Sequence, residues 1–178
     1  VVPREQFDRL AAGLEAHLRV AVMSDEIYSR LLYDDAEFVT MLGYEHLRDR
    51  LILLDGWSKT YAMTGWRIGY AVWPEALVEG AVRLCINDHS CVNAATQYAA
   101  IEALTGPQGS VDAMVAAFDA RRSVMVDELN AIPGFACARP QGAFYAFPNI
   151  TGTGLDARRL QDKLLTEAGV ATVAGTSF

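Results

Sequence analysis

The sequence predicts an α/β protein, a domain on a mainly parallel sheet flanked by helices and then a smaller α+β unit. Three observations predict it. Two short, wholly apolar runs, Val20-Ala21-Val22-Met23 and Leu51-Ile52-Leu53-Leu54, read as strands buried on both faces. Apolar residues at helical spacing precede and follow them, which is the alternation of an α/β domain. Gly106-Pro107-Gln108-Gly109 then breaks the pattern, and a long helix with short strands follows.

The elements follow in order. Pro3 is placed as an early helix residue, and Phe7, Leu10, Ala11, Leu14 and Leu18 keep the 3.6-residue period behind it. The Val20–Met23 strand ends in Ser24-Asp25-Glu26, and the Leu51–Leu54 strand ends in the turn signal Asp55-Gly56. A third strand candidate runs from Ile68 to Trp73 and is closed by Pro74. A helix follows with Leu77, Ala81, Leu84 and Cys85 on one face, then another over Ala94 to Leu104. Past the Gly106–Gly109 break, Val111, Met114, Val115, Phe118, Arg122, Met125 and Leu129 mark a long helix. Two short strands are expected around Pro140-Gln141-Gly142. A last helix carries Leu160, Leu164, Leu165 and Ala168, stops at Gly169, and leads to a Val170–Val173 strand. The domains predicted are residues 1–108 and 109–178.

Bulk properties exclude several functions. The 178 residues are 52% hydrophobic, enough for a sizeable core, and carry a formal charge of -7. That acidity repels phosphate backbones and anionic lipid, so neither nucleic acid nor membrane is the expected partner of these residues. No apolar run approaches the roughly 18 residues of a membrane span, and there is no signal peptide, so a cytoplasmic protein is expected. Cys85, Cys91 and Cys137 form neither a disulfide framework nor a zinc pattern, and His17, His46 and His89 do not cluster as metal ligands. The sequence opens at Val1-Val2-Pro3 and closes at Thr176-Ser177-Phe178, which reads as a piece of something longer.

In open α/β sheets, ligands gather beyond the carboxyl ends of the strands. Asp25 stands at one such end and Ser58-Lys59 just past another. Alone, each has a plain structural reading. A strand-terminal Asp commonly caps a turn, and a lone Lys is commonly a solvated charge.

The surrounding residues add a pattern. Asp25-Glu26-Ile27-Tyr28, followed by Ser58-Lys59-Thr60-Tyr61-Ala62-Met63-Thr64-Gly65-Trp66-Arg67-Ile68-Gly69-Tyr70, resembles the cofactor signature of class I/II, aspartate aminotransferase-like enzymes of fold type I. Gln97 to Leu104, Arg121-Arg122, Gly142-Ala143-Phe144-Tyr145 and Gly175-Thr176-Ser177-Phe178 resemble later landmarks of that family, so the likeness covers nearly the whole chain.

The resemblance implies pyridoxal 5'-phosphate as cofactor, an amino acid and a 2-oxo acid as substrates, and a homodimer. Residues 1–108 would be the C-terminal part of the large cofactor-binding domain, and 109–178 an incomplete small domain. Lys59 would hold the cofactor as an imine and carry protons as general base and acid. Asp25 would keep the ring nitrogen protonated, and Tyr28 would donate to the ring's phenolate oxygen. Arg67 would pair with the cofactor phosphate, and Ser58 would reach it by hydroxyl or serve the turn.

Two departures accompany the match. Gly56 stands where many members have a phosphate-binding serine, and Trp57 where the family usually has a smaller apolar residue. Trp66 and Tyr70 are read as core or cofactor-wall packing, and Gly65 and Gly69 as sites of close backbone approach. Phe144 and Tyr145 are read as turn neighbours or pocket lining. The asparagine and ring-stacking aromatic that the family places upstream, and the carboxylate-binding arginine it places downstream, are not among these residues. Two other functions fit the same likeness: another fold-type I reaction such as β-elimination, and the aminotransferase-like effector domain of a transcriptional regulator. A basic helix-turn-helix upstream would mark the latter.

Overall fold

A computed structural model describes residues 1–178. The helices are α1 (Arg4–Glu15), α2 (Glu75–His89), α3 (Ala94–Thr105), α4 (Gly109–Ala131) and α5 (Ala157–Ala168); the strands are β1 (Val22–Asp25), β2 (Leu51–Gly56) and β3 (Gly69–Val72). They group into two compact units, one of residues Val1–Val115 with Gln141–Ala143, the other of Ala116–Pro140 with Phe144–Phe178. No helix is long and apolar enough to cross a membrane.

In the first unit the strands lie in the order β1-β2-β3. β1 and β2 are parallel, with Val22 opposite Leu51 and Asp25 opposite Leu54. β3 runs antiparallel to β2, with Gly56 opposite Gly69 and Asp55 opposite Tyr70. The expected α/β sheet flanked by helices is present, and these three strands make it mixed, with one parallel and one antiparallel pairing. The segment between β2 and β3 contains turns and one 3-10 turn at Thr64–Trp66, with no crossover helix to return the chain for a parallel pairing.

The first core lies at the base of β2. Ala11, Met41, Leu47 and Leu51 are buried together, with Phe7, Leu14, Val22, Leu42 and Tyr44 packed around them. α1 starts one residue after Pro3, which serves as the N-cap, and ends at Glu15, short of Leu18. Arg50 explains that end. Its guanidinium donates to the carbonyls of Leu14 (2.8 Å), His17 (2.6 Å) and Val20 (3.0 Å), a cation where the helix dipole is negative. The same contact claims the Val20 carbonyl, and β1 begins only at Val22.

Other expectations shift for similar reasons. β1 is a sheet edge and alternates between half-buried and exposed residues, so Met23 is 66% exposed. α2 was expected to bury a face, yet it has no buried residue, and Leu84 is 71% exposed. α3 buries only a narrow stripe at Thr96 and Ala100.

In the second unit Arg122 is buried, paired with Asp119 at 2.6 Å and donating to the Pro140 carbonyl at 2.7 Å. Asn130 and Cys137 exchange two hydrogen bonds, fixing the turn after α4. No strand forms around Pro140-Gln141-Gly142 or at Val170–Val173. Single bridges join Ala136 to Asn149 and, in the first unit, Leu32 to Gly142. α5 is capped by the Asp156 carboxylate and ends on Gly169 in the left-handed conformation.

Candidate active site

Strand direction brings the sequence candidates to one edge of the sheet. β1 and β2 are parallel and finish together, and the backbone N–H of Glu26 donates to the Leu54 carbonyl at 2.8 Å. β3, running back, starts at that edge. Asp25 is the last residue of β1, and Tyr28 lies in the turn just after it. Ser58 and Lys59 follow β2, and Arg67 lies two residues before β3.

Each is held locally. The Asp25 carboxylate accepts from the Ile27 backbone at 3.2 Å, the bond of an Asx turn, and the hydrogen bond is exposed. Tyr28 is half-buried, and its carbonyl accepts from the Leu31 N–H at 3.0 Å. Lys59 sits in a turn closed by the Trp57 carbonyl, which accepts from Tyr61 (3.2 Å) and Met63 (3.4 Å). Ala62 completes the turn at φ 53°, and its N–H donates to the Lys59 carbonyl at 3.2 Å. Arg67 also stands in the left-handed region, at φ 53° and ψ 54°, and its guanidinium donates to the Thr64 carbonyl at 2.8 Å. Non-glycine residues hold such angles only where their surroundings fix them, and Ala62 and Arg67, so close in the chain, mark a constrained segment.

A cavity of about 840 Å³ opens beside this edge, lined by Arg67, Gly69, His89, Cys91, Asn93 and Thr96 among others. Of the candidates only Arg67 lines it. The cavity is thus offset from Lys59, Asp25 and Tyr28, which stand at the strand ends.

Two carboxylates escaped the sequence reading. Glu26 is buried and accepts from the Ser24 hydroxyl (3.0 Å) and the Met41 backbone (2.9 Å). Asp55, read as a turn residue, lies inside β2 facing Tyr70. Its carboxylate accepts from the Gly56 N–H at 2.6 Å and from the Tyr70 hydroxyl at 3.4 Å. Burial pushes the Asp55 carboxyl above its ordinary value, and burial together with the Asp55 charge pushes the Tyr70 phenol up. Nothing in the sequence marks this pair, because it depends on the β2–β3 register.

The two departures acquire structural reasons. A Cβ added at Gly56 would stand 2.9 Å from the Gly69 Cα and 3.0 Å from the Ile68 carbonyl oxygen, so the strands approach too closely for a serine there. Trp57 is buried at 9% exposure. Its indole N–H donates to the Ala100 carbonyl at 3.0 Å, and its ring meets Tyr70 edge to face with centroids 5.6 Å apart.

The remaining readings divide. A Cβ added at Gly69 would stand 3.1 Å from the Asp55 carbonyl oxygen, whereas Gly65 has open space around it, so close approach explains only the former. Trp66 and Tyr70 are each about half exposed and belong to no core. In the second unit Phe144 stacks on Phe118 at 5.5 Å and touches Tyr145, and both Phe144 and Tyr145 are exposed.

The chain as a whole resembles known proteins. The family model for aminotransferases of class I and II matches residues 1–178. The putative aminotransferase YugH of Bacillus subtilis is 36% identical over 178 residues, covering all of this chain and 45% of that protein. The aspartate aminotransferase of Geobacillus stearothermophilus is 41% identical over 165 residues, 89% of this chain and 42% of that protein. Among solved structures, the aromatic aminotransferase of Pyrococcus horikoshii OT3 superposes with a TM-score of 0.93 at 34% identity, over 99% of this chain and 48% of that one. The chain spans about half the length of the curated relatives it matches.

Proposed function

Because this chain belongs to the class I and II aminotransferase family, we propose that the protein moves an amino group from an amino acid to a 2-oxo acid using pyridoxal 5'-phosphate. The observation that carries the reading is the gathering of Asp25, Tyr28, Lys59 and Arg67 at one sheet edge, in the order and context of the family's signature. The residue types suit the cofactor: a primary amine, a carboxylate, a phenol and an exposed guanidinium.

The cofactor, when bound, supplies a ring that delocalises a carbanion. The protein's residues do the rest. Lys59 Nζ would hold the cofactor covalently at rest and, when free, would take and return the substrate proton. Asp25 would favour a proton on the ring nitrogen by its negative charge. Tyr28 would donate a hydrogen bond from its hydroxyl to the ring oxygen. Arg67 would pair with the phosphate, its flat fork of donors matching the oxygens, and Ser58 would add a hydroxyl contact or serve the turn. Residues 1–108 would then belong to the large cofactor domain and 109–178 to the small one.

A homodimer goes with this reading by family resemblance. Leu77, Val78, Val82, Leu84 and Ile86 of α2 are all exposed, as is Met23 of β1, and apolar surfaces of this kind are usually covered in the whole protein.

Lys59→Ala tests the reading. The purified protein loaded with pyridoxal 5'-phosphate should be yellow, and the variant should lose both the bound visible band and multiple-turnover transamination. A variant with unchanged spectrum and rate would overturn the assignment.

A further inference from the structure

We propose that Trp57 is a positioning residue for Lys59, bolting the turn that carries the lysine to helix α3 and strand β3. The proposal rests on the assignment of Lys59 as the cofactor-bearing amine.

Lys59 leaves β2 shortly after the last ladder position, Gly56. From there to Met63 the Tyr61 and Met63 N–H groups both close on the Trp57 carbonyl, and the Ala62 N–H closes on that of Lys59. Ala62 holds a left-handed conformation within the same turn. A non-glycine residue there costs about 1–2 kcal/mol, so something outside the turn must hold it in place.

The Trp57 side chain supplies that hold. Its N–H reaches the carbonyl of Ala100, in the middle of α3. A helix carbonyl has a second lone pair, so it can take this bond while keeping its own helical one. The ring packs in a buried cluster with Met63 and Ala100, bordered by Tyr61, Ile68, Ala99 and Ala103. Its edge-to-face contact with Tyr70 ties the other side to β3. The residue whose carbonyl closes the Lys59 turn is therefore the one whose side chain is fixed to two neighbouring elements. The indole fills this volume and also donates to Ala100, while α3 meets it with the small side chains Ala99, Ala100 and Ala103.

Two variants separate position from folding. Trp57→Phe keeps an aromatic ring and removes the donor, whereas Trp57→Leu also removes the contact with Tyr70. In the apo protein, the rate at which Lys59 captures pyridoxal 5'-phosphate is read by borohydride trapping and mass spectrometry of the Lys59 peptide. In the loaded protein, kcat and KM for the amino donor are measured separately. Misplacing a reacting group by about 1 Å costs on the order of a hundredfold. We expect Trp57→Phe to slow trapping and lower kcat by about tenfold, and Trp57→Leu by about a hundredfold, with KM changed less than about threefold. If Trp57→Leu does not fold, Trp57→Phe alone decides. Trapping and kcat within about twofold of wild type in the folded variants would overturn the proposal, and so would a rise in KM with kcat unchanged. Lys59→Ala, run alongside, distinguishes the two failures. If the intact mass of the reduced variant still shows cofactor trapped at the wild-type rate, the assignment of Lys59 fails. If it does not, while the Trp57 variants behave as wild type, only the role of Trp57 fails.

Discussion

The two ends of strand β2 are built on opposite principles. At its base, Leu51 joins Leu47, Met41 and Ala11 in a buried cluster, and Arg50 satisfies three carbonyls at the end of α1 and the approach to β1. Apolar packing and paired polar groups dominate there. At the other end lie a partly buried carboxylate at Asp55, a close glycine pair at Gly56 and Gly69, and left-handed Ala62 and Arg67. Such features each oppose folding unless their surroundings compensate. The base therefore supplies stability that the edge consumes, and substitutions at the two ends should separate stability from chemistry.

The largest separation is expected at Asp25. Its carboxylate makes an exposed turn hydrogen bond, worth about 1 kcal/mol or less. Asp25→Ala should thus move the melting temperature by only a few degrees. On the proposed function it should nevertheless lower kcat by several powers of ten, because nothing then favours the protonated ring, and each tenfold is about 1.4 kcal/mol of barrier. Asp25→Glu should lose less. Near wild-type turnover in Asp25→Ala would reduce this carboxylate to a turn cap and remove the contrast.

Leu47 should show the reverse. It is fully buried in the base cluster, so Leu47→Ala removes transfer energy and leaves a cavity, a loss of about 2–5 kcal/mol. Urea unfolding followed by circular dichroism reads the loss directly. At a temperature where the variant stays folded, its kcat should match wild type within about twofold, since none of the candidate site residues belongs to that cluster. A stability cost under about 1 kcal/mol, or a fall in kcat that tracks it, would show that base and edge are not separable.

The base was more legible in the sequence than the edge. Leu51-Ile52-Leu53-Leu54 announces a strand by composition alone, and the period of Phe7, Ala11 and Leu14 announces the helix that covers it. The candidate residues at the edge were found from strand ends and a resemblance, which give position but no pairing. What stayed hidden depends on register. Asp55-Gly56 looks like a turn, yet it continues the strand because Gly69 opposite leaves room for it. Trp57 looks like an anomaly until Ala100 is seen beneath it. α2 carries a helical apolar pattern, but its residues find nothing in this chain to bury against, and periodicity cannot say which face will be covered or by what.

The smallest effect expected is also the one that tests the edge's electrostatics most directly. Asp55 sits between Tyr70 on β3 and Glu26 after β1, with Ser29 also within hydrogen-bonding reach. Burial raises its carboxyl, the Glu26 charge adds to the rise, and the bonds from Gly56, Tyr70 and Ser29 oppose it without cancelling it. The folded chain therefore holds this proton more tightly than the unfolded chain does. Its contribution to stability is fully present below the ordinary carboxylate range, near about pH 4, and is lost as pH rises through the folded value. Asp55→Asn removes the titration and keeps an oxygen for the Gly56 N–H. Urea midpoints measured from about pH 4 to pH 7 should show the variant gaining on wild type as pH rises, then holding a constant lead. Tyr70→Phe, which deletes a bond that favours the ionised form, should make the wild-type decline steeper. Parallel curves for Asp55→Asn and wild type would mean that solvent screens Asp55 completely. A lead that shrinks with rising pH would mean that hydrogen bonds outweigh burial and that the edge gains stability from this charge.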